Sequence, residues 1–250
     1  MTATDDTLYP AAWMRVFRLL RLGVAAAIAA AVVATFVDTA SRTPVNPFNF
    51  FGYFTLQSNL IGCVVLVLAA AAGARAGAGV GVGSDPARRG REGQRGLRGQ
   101  QGRGARRGSA VVLLRGAATT YLVVVGLVYA VLLAPLGAAG GVPVPWANVV
   151  LHVIVPVYFV VDWLIAPDRQ RLPWGTFWVV LIYPLVWCAV VLVRGATDGW
   201  VPYPFLDPSN GYGSVAFFVV LITVVVSASA SAIWGISRLP TFLSPRPELA

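Results

Sequence analysis

The chain has 250 residues, of which 57% are hydrophobic and only 12% charged, and its mean hydropathy is +0.73. Soluble domains carry roughly 25% charged residues, so this composition excludes an ordinary water-soluble enzyme, a disordered chain and a secreted disulfide scaffold. The net charge of +9 comes from 19 basic residues, all arginine; such a balance suits nucleic acid or anionic lipid, and the placement of the arginines decides between them.

A membrane-crossing helix needs about 20 mostly apolar residues. Taken in chain order, the segments that qualify are 16–37, 51–72, 111–134, 146–166, 174–193 and 212–236. None alternates as a membrane β-strand does. The predicted fold class is therefore all-α: a polytopic membrane protein with six transmembrane helices in one bundle, forming a single domain. The first span contains small residues of the kind found at cleavage sites, Ala29 to Ala31 among them. Its apolar run is too long for a signal-peptide core and five spans follow, so it is expected to be retained. Cys63 and Cys188 both lie inside apolar runs and read as packing thiols.

Residues 73–110, between the second and third spans, are rich in Gly and Arg and poor in anything that builds a core. They predict a disordered cytoplasmic loop whose arginines meet anionic lipid headgroups. Nucleic acid is not expected as a partner, because no aromatics are interleaved for stacking. Gly77, Gly79, Gly81 and Gly83 lack the Lys-Ser/Thr and the preceding strand of a phosphate-binding loop.

Six spans make the connections alternate sides. Arg15, Arg18, Arg21, the nine arginines of 75–107, Arg115, Arg169, Arg171, Arg238 and Arg246 then share one side, leaving only Arg42 and Arg194 on the other. The positive-inside rule predicts a multi-pass protein of the cell membrane with both termini in the cytoplasm.

Polar side chains inside spans are expensive, and two spans concentrate them. The second carries Thr55, Gln57, Ser58 and Asn59; the fourth carries Asn148, His152 and Asp162, and His152 is the single histidine of the chain. Thr55 and Asn59 are i and i+4 on one helix face, as are Asn148 and His152 on another. Thr55 and His152 both fall roughly 6–9 Å below the outer boundary. Thr119, Thr120, Thr223 and Ser227 lie too deep or toward the inner half, whereas Thr35, Thr55, Ser58 and Ser214 reach the depth of His152, with Thr55 and Ser58 the best placed. Asp162 lies about 15 Å deeper than His152; it is expected to cap the inner end of its span or pair with Arg115.

A hydroxyl and an imidazole at one depth allow nucleophilic catalysis. His152 would take the Thr55 proton as the oxygen attacks an ester carbonyl, with Asn59 or Gln57 amide protons stabilising the oxyanion. The competing reading is packing: a histidine bonding a nearby carbonyl, a threonine bonding its own i−4 carbonyl, amides as interhelical glue. One histidine without a Cys pair or a carboxylate at ligand spacing predicts no metal, and no other cofactor is expected. The connection before the sixth span, with Pro202, Tyr203, Pro204, Phe205 and Asp207, reads as an interfacial anchor or as a rigid aromatic lid over the site.

Tyr53-Phe54-Thr55-Leu56-Gln57-Ser58-Asn59-Leu60, then Trp146-x-Asn148 followed by His152 and Asp162, then Tyr203-Pro204-Phe205-Leu206-Asp207 resemble, in this order, the androgen-induced-protein and androgen-dependent-TFPI-regulating-protein family of integral membrane hydrolases. The resemblance spans most of the chain except the Gly/Arg tract. It implies hydrolysis of fatty acid esters of hydroxy fatty acids by a membrane-embedded Thr and His, which fall on Thr55 and His152. Membrane lipids and a lipid ester substrate are then the expected partners, with Asn59, Gln57, Ser58, Asn148, Tyr203 and Phe205 lining the binding site. The alternatives are a non-catalytic membrane protein that binds a lipid or a partner helix in the same pocket, and a proton-coupled transporter using His152 and Asp162.

Overall fold

A computed structural model describes residues 11–78, 91–140 and 142–241. These residues form helices and no strands, and six helices are long and apolar enough to cross a membrane: Ala12–Arg42, Phe54–Gly73, Gly108–Gly137, Pro145–Ile165, Trp174–Thr197 and Tyr212–Ile236. The predicted all-α bundle is what is observed. We number its helices α1 (Ala11–Arg42), α2 (Pro47–Phe50), α3 (Phe54–Ala78), α4 (Arg91–Val128), α5 (Pro145–Val149), α6 (Val155–Ile165), α7 (Phe177–Thr197) and α8 (Tyr212–Ile236). Spans one, two, five and six correspond to α1, α3, α7 and α8. The third is α4 with its irregular continuation, and the fourth joins α5 and α6 through a π turn, Val150–Ile154.

The first helix runs past both predicted ends of its span, as Ala11–Arg42, and two further boundaries differ from the sequence expectation. Residues 51–53 form a turn rather than the start of the second span. The short α2 before it is capped by the Asn46 side chain, which accepts from the amides of Phe48 and Asn49, and a side chain at Gly52 would run into the Trp200 ring. Chain reversal, not hydropathy, sets that edge. At the other boundary α4 starts at Arg91, so its backbone helix reaches back through much of the segment expected to be a loop. Arg, Gln, Leu and Ala are good helix formers, enough to carry the interspersed glycines at about 1 kcal/mol each. Residues 79–90 of that segment lie outside the described residues.

α4 is the central helix. One side of it, with Tyr121, Val124 and Val125, packs into a core shared with α6, α7, α8 and the loop around Tyr203. Its other side, with Ala118 and Leu122, packs with α1, α3 and the fourth span. Close approach requires small residues: a Cβ at Gly62 would press on Leu122 and Phe159 at 3.0 Å, and one at Gly126 would meet Pro156 at 3.1 Å. α7 and α8 are the least covered spans, with 11% and 17% of their apolar windows buried against 56% for α3, so they border lipid most widely.

The bundle has two chemically distinct ends. The arginine-rich end holds a buried charge cluster. Arg21 donates to Asp162 (2.9 Å) and Asp168 (2.6 Å), and Arg115 donates to the same two carboxylates at 2.6 and 2.8 Å. Two guanidiniums thus face two carboxylates with charges balanced. Burial tends to raise the Asp168 carboxyl, but Arg115 and Arg21 outweigh it and hold it well below the usual carboxylate range. Arg169 and Arg238 close the same end by donating to the last carbonyls of α6 and α8, including Trp163 O and Trp234 O. At the opposite end Arg42 and Arg194 are each paired with an aspartate four residues away, Asp38 and Asp198.

Candidate active site

The site is built by prolines. Pro156 brings no N–H to its helix, and the preceding residues widen into the π turn, in which the Val155 amide bonds Val150 O. In that register Leu151 O would face the nitrogen of Pro156, which has no hydrogen to give. Asn59 of α3 supplies it instead, its Nδ2 donating to Leu151 O (3.2 Å) and to Thr55 O (2.8 Å). A neighbouring helix thus satisfies the freed carbonyl, as the lipid environment demands. The turn carries His152. A second π turn, Tyr129–Leu133, extends α4 directly opposite, and its Tyr129 ring stacks on the imidazole at 4.3 Å between centroids. π turns of this kind are frequent at functional sites.

His152 is 4% exposed. Its Nδ1 lies 3.1 Å from Asn148 O. A carbonyl can only accept, so Nδ1 carries the hydrogen and the neutral ring presents the lone pair of Nε2. Asn148 holds the arrangement with its side chain, donating to Tyr129 Oη (2.6 Å) and accepting from the Val142 amide.

Thr55 stands in the first turn of α3. In every other span threonine, the hydroxyl donates to a backbone carbonyl three or four residues earlier: Thr35, Thr39, Thr119, Thr120, Thr176, Thr197 and Thr223. Thr55 does not. Its Oγ1 is 3.4 Å from Tyr203 Oη, and its amide donates to the same phenol at 3.3 Å. Tyr203 is clamped by the parallel Phe205 ring (5.2 Å) and by the edges of Tyr53 and Trp187. Burial pushes its phenol up to about 12, so it remains a hydrogen-bond donor at neutral pH.

Thr55 and His152 both line one cavity of about 440 Å³ at the end opposite the arginine cluster, together with Thr35, Asn49 and Tyr203. No hydrogen bond joins the two side chains. The N-termini of α3, α5 and α8 all point toward this end, which favours negative charge there.

The other expected site residues divide. Tyr203 is in the cavity wall. Phe205 lines a separate apolar cleft, and Gln57 borders a third cavity, its amide donating to Phe51 O and accepting from Tyr183 Oη. Ser58 is buried outside the cavity. Asn59 cannot be the oxyanion donor, because both its amide hydrogens are committed to backbone carbonyls. Asn148 acts through its carbonyl and through Tyr129 rather than on the cavity itself. Asp162 pairs with Arg115 as expected and, less expectedly, with Arg21; Asp168 as a fourth member was not anticipated. Cys63 and Cys188 are free thiols. Among the described residues no group of three His, Cys, Asp or Glu is placed to hold a metal ion.

The chain matches no protein-family profile, no curated protein and no solved structure.

Proposed function

We propose that the protein is an integral membrane hydrolase of lipid esters in which Thr55 is the nucleophile and His152 the base, as the resemblance to the androgen-induced-protein family implies. The observation that carries this reading is the Thr55 hydroxyl: alone among the span threonines it is not spent on its own helix, and it shares a cavity with the lone-pair nitrogen of the only histidine. A substrate ester enters the cavity between them. Thr55 Oγ1 attacks the carbonyl carbon while Nε2 of His152 takes its proton, a transfer typically worth 10²–10⁴-fold. Tyr203, whose oxygen already accepts the Thr55 amide, gives its own proton as a hydrogen bond to the oxyanion. Collapse expels the alcohol with the proton from Nε2, and water cleaves acyl-Thr55 through the same base. Asn148 O keeps Nδ1–H in place throughout, the role a carboxylate plays in soluble triads.

The arginine bias further supports a cell-membrane orientation with both termini cytoplasmic and the cavity facing outward. The test is hydrolysis of a long-chain lipid ester by purified protein in detergent or nanodiscs. Wild type is expected to turn over, with Thr55→Ala and His152→Ala each lowered by about 10³-fold or more. Equal rates in all three would remove the catalytic assignment.

A further inference from the structure

Thr55, Leu133 and Tyr203 line two cavities at once: the polar one that contains His152, and a second lined mostly by apolar side chains from α4, α7, α8 and the connection before α8, among them Val128, Leu185, Val219 and Phe205. We propose that this second cleft is an acyl-chain site, so that Thr55 and Tyr203 form the wall at which a substrate's alkyl chain ends and its polar portion begins. The assignment of the chain as the acyl half of an ester rests on the hydrolase reading above.

The cleft originates in α7. Pro184 has no N–H for Val180 O, and Tyr121 Oη of α4 donates to that carbonyl at 3.0 Å. This bond fixes α7 to α4 on one side of the proline. On the other side Leu185, Trp187 and Cys188 of α7 line the cleft, facing Val219, Ile222 and Val226 of α8. Thr223 donates to Val219 O and Trp187 Nε1 to Gly52 O, which leaves the Cys188 thiol as the remaining polar group on the α7 and α8 walls. Leu185 lines the cleft and is 54% exposed, which makes the cleft open sideways, between the two spans that face lipid most widely. Its volume of about 90 Å³ makes it much the narrower of the two beside the 440 Å³ cavity. A long chain therefore lies with its carbonyl end at Thr55 and its tail leading out between α7 and α8 into the bilayer. The other half of the ester falls in the 440 Å³ cavity, walled by Thr35, Asn49 and Tyr203. The substrate class is thus a lipid ester whose acyl chain enters laterally from the membrane and whose alcohol half lies in the polar cavity.

The experiment uses the full-length protein in nanodiscs with two probes: palmitic acid carrying a diazirine midway along the chain, and matched acetyl and palmitoyl esters of one fluorogenic alcohol. Photocrosslinks mapped by mass spectrometry are expected on Leu185, Val219 and Ile222. Val219→Trp, which fills the cleft, is expected to reduce both crosslinking and palmitoyl-ester hydrolysis by about tenfold or more while acetyl-ester hydrolysis changes little. Crosslinks spread over all lipid-facing helices, or located on Thr35 and Asn49, would overturn the proposal. So would equal losses on both esters in a Val219→Trp protein that remains monodisperse. Crosslinks in the cleft of a wild type that hydrolyses neither ester would uphold the chain site and defeat the hydrolase reading instead.

Discussion

Removing one oxygen, that of the Tyr203 phenol, separates what the ring packs from what its hydroxyl does. Tyr203→Phe keeps the stack on Phe205 and the contacts with Tyr53 and Trp187. If the phenol stabilises the oxyanion, kcat should fall by about 10²–10³ with KM almost unchanged, as for loss of a single oxyanion donor; steady-state kinetics on a lipid ester checks this. The sequence makes Thr55 and His152 legible as polar side chains that match in depth where neither hydropathy nor length needs them. It does not reveal Tyr203 as the neighbour of Thr55, since 148 residues separate them and an aromatic in a proline-rich connection reads equally well as an anchor. Asn59 misleads for a related reason. Its face on α3 is predictable, but its two hydrogens are taken by carbonyls, and one of those is free only because of a proline on another helix.

At the scale of elements, that proline is the test. Pro156→Ala restores an N–H that can close a regular α-helical turn and removes a residue that costs about 3 kcal/mol in a helix interior. Without the π turn the residues around His152 rotate relative to α3, by up to about 100° for one residue of register. The expected result is unchanged or raised thermal stability together with loss of ester hydrolysis, read by melting curves and activity on the same preparation. Inactivity with full stability is the combination that a purely structural His152 would not explain. Both π turns have a sequence signal, a proline shortly after the polar or aromatic residue (Pro135 and Pro156), although apolar length alone passes over it. The charge cluster predicts the opposite behaviour. Arg115→Ala leaves Asp162 buried without one of its partners and should destabilise by about 3–5 kcal/mol with the cavity residues untouched. The Asp168 carboxyl titrates below its unfolded value of about 3.9, so its contribution is fully present above that pH and is lost as the pH falls through the folded value. Melting temperature should therefore hold steady from neutral pH down to the carboxylate range and drop below it, with Asp168→Asn flattening that acid limb. The Asp162–Arg115 pair is foreseeable because both residues sit at span ends on the arginine-rich side. Arg21 and Asp168 escape notice, one counted as a topology arginine and the other lying just beyond its span.

The whole molecule divides its labour by end and by side. One end locks α1, α4, α6 and the turn after α6 together through Arg21, Arg115, Asp162 and Asp168 and caps α6 and α8 with arginines; the other carries a polar cavity. A rigid, charge-balanced base thus supports a cavity whose walls come from connections as well as spans. Six spans can be read from hydropathy, because the bilayer imposes their length on any sequence. Which faces of those spans meet is not written in the same way, since rotation about each helix axis depends on glycine contacts such as Gly126 against Pro156. The central claim is that Thr55 is an activated nucleophile, and covalent labelling tests it most directly. The full-length protein is treated with a long-chain fluorophosphonate and digested, and the adduct is located by mass spectrometry. We expect one phosphonylated residue, Thr55, formed in wild type and lost in His152→Ala; an adduct on another residue, or labelling that His152→Ala leaves unchanged, would contradict it.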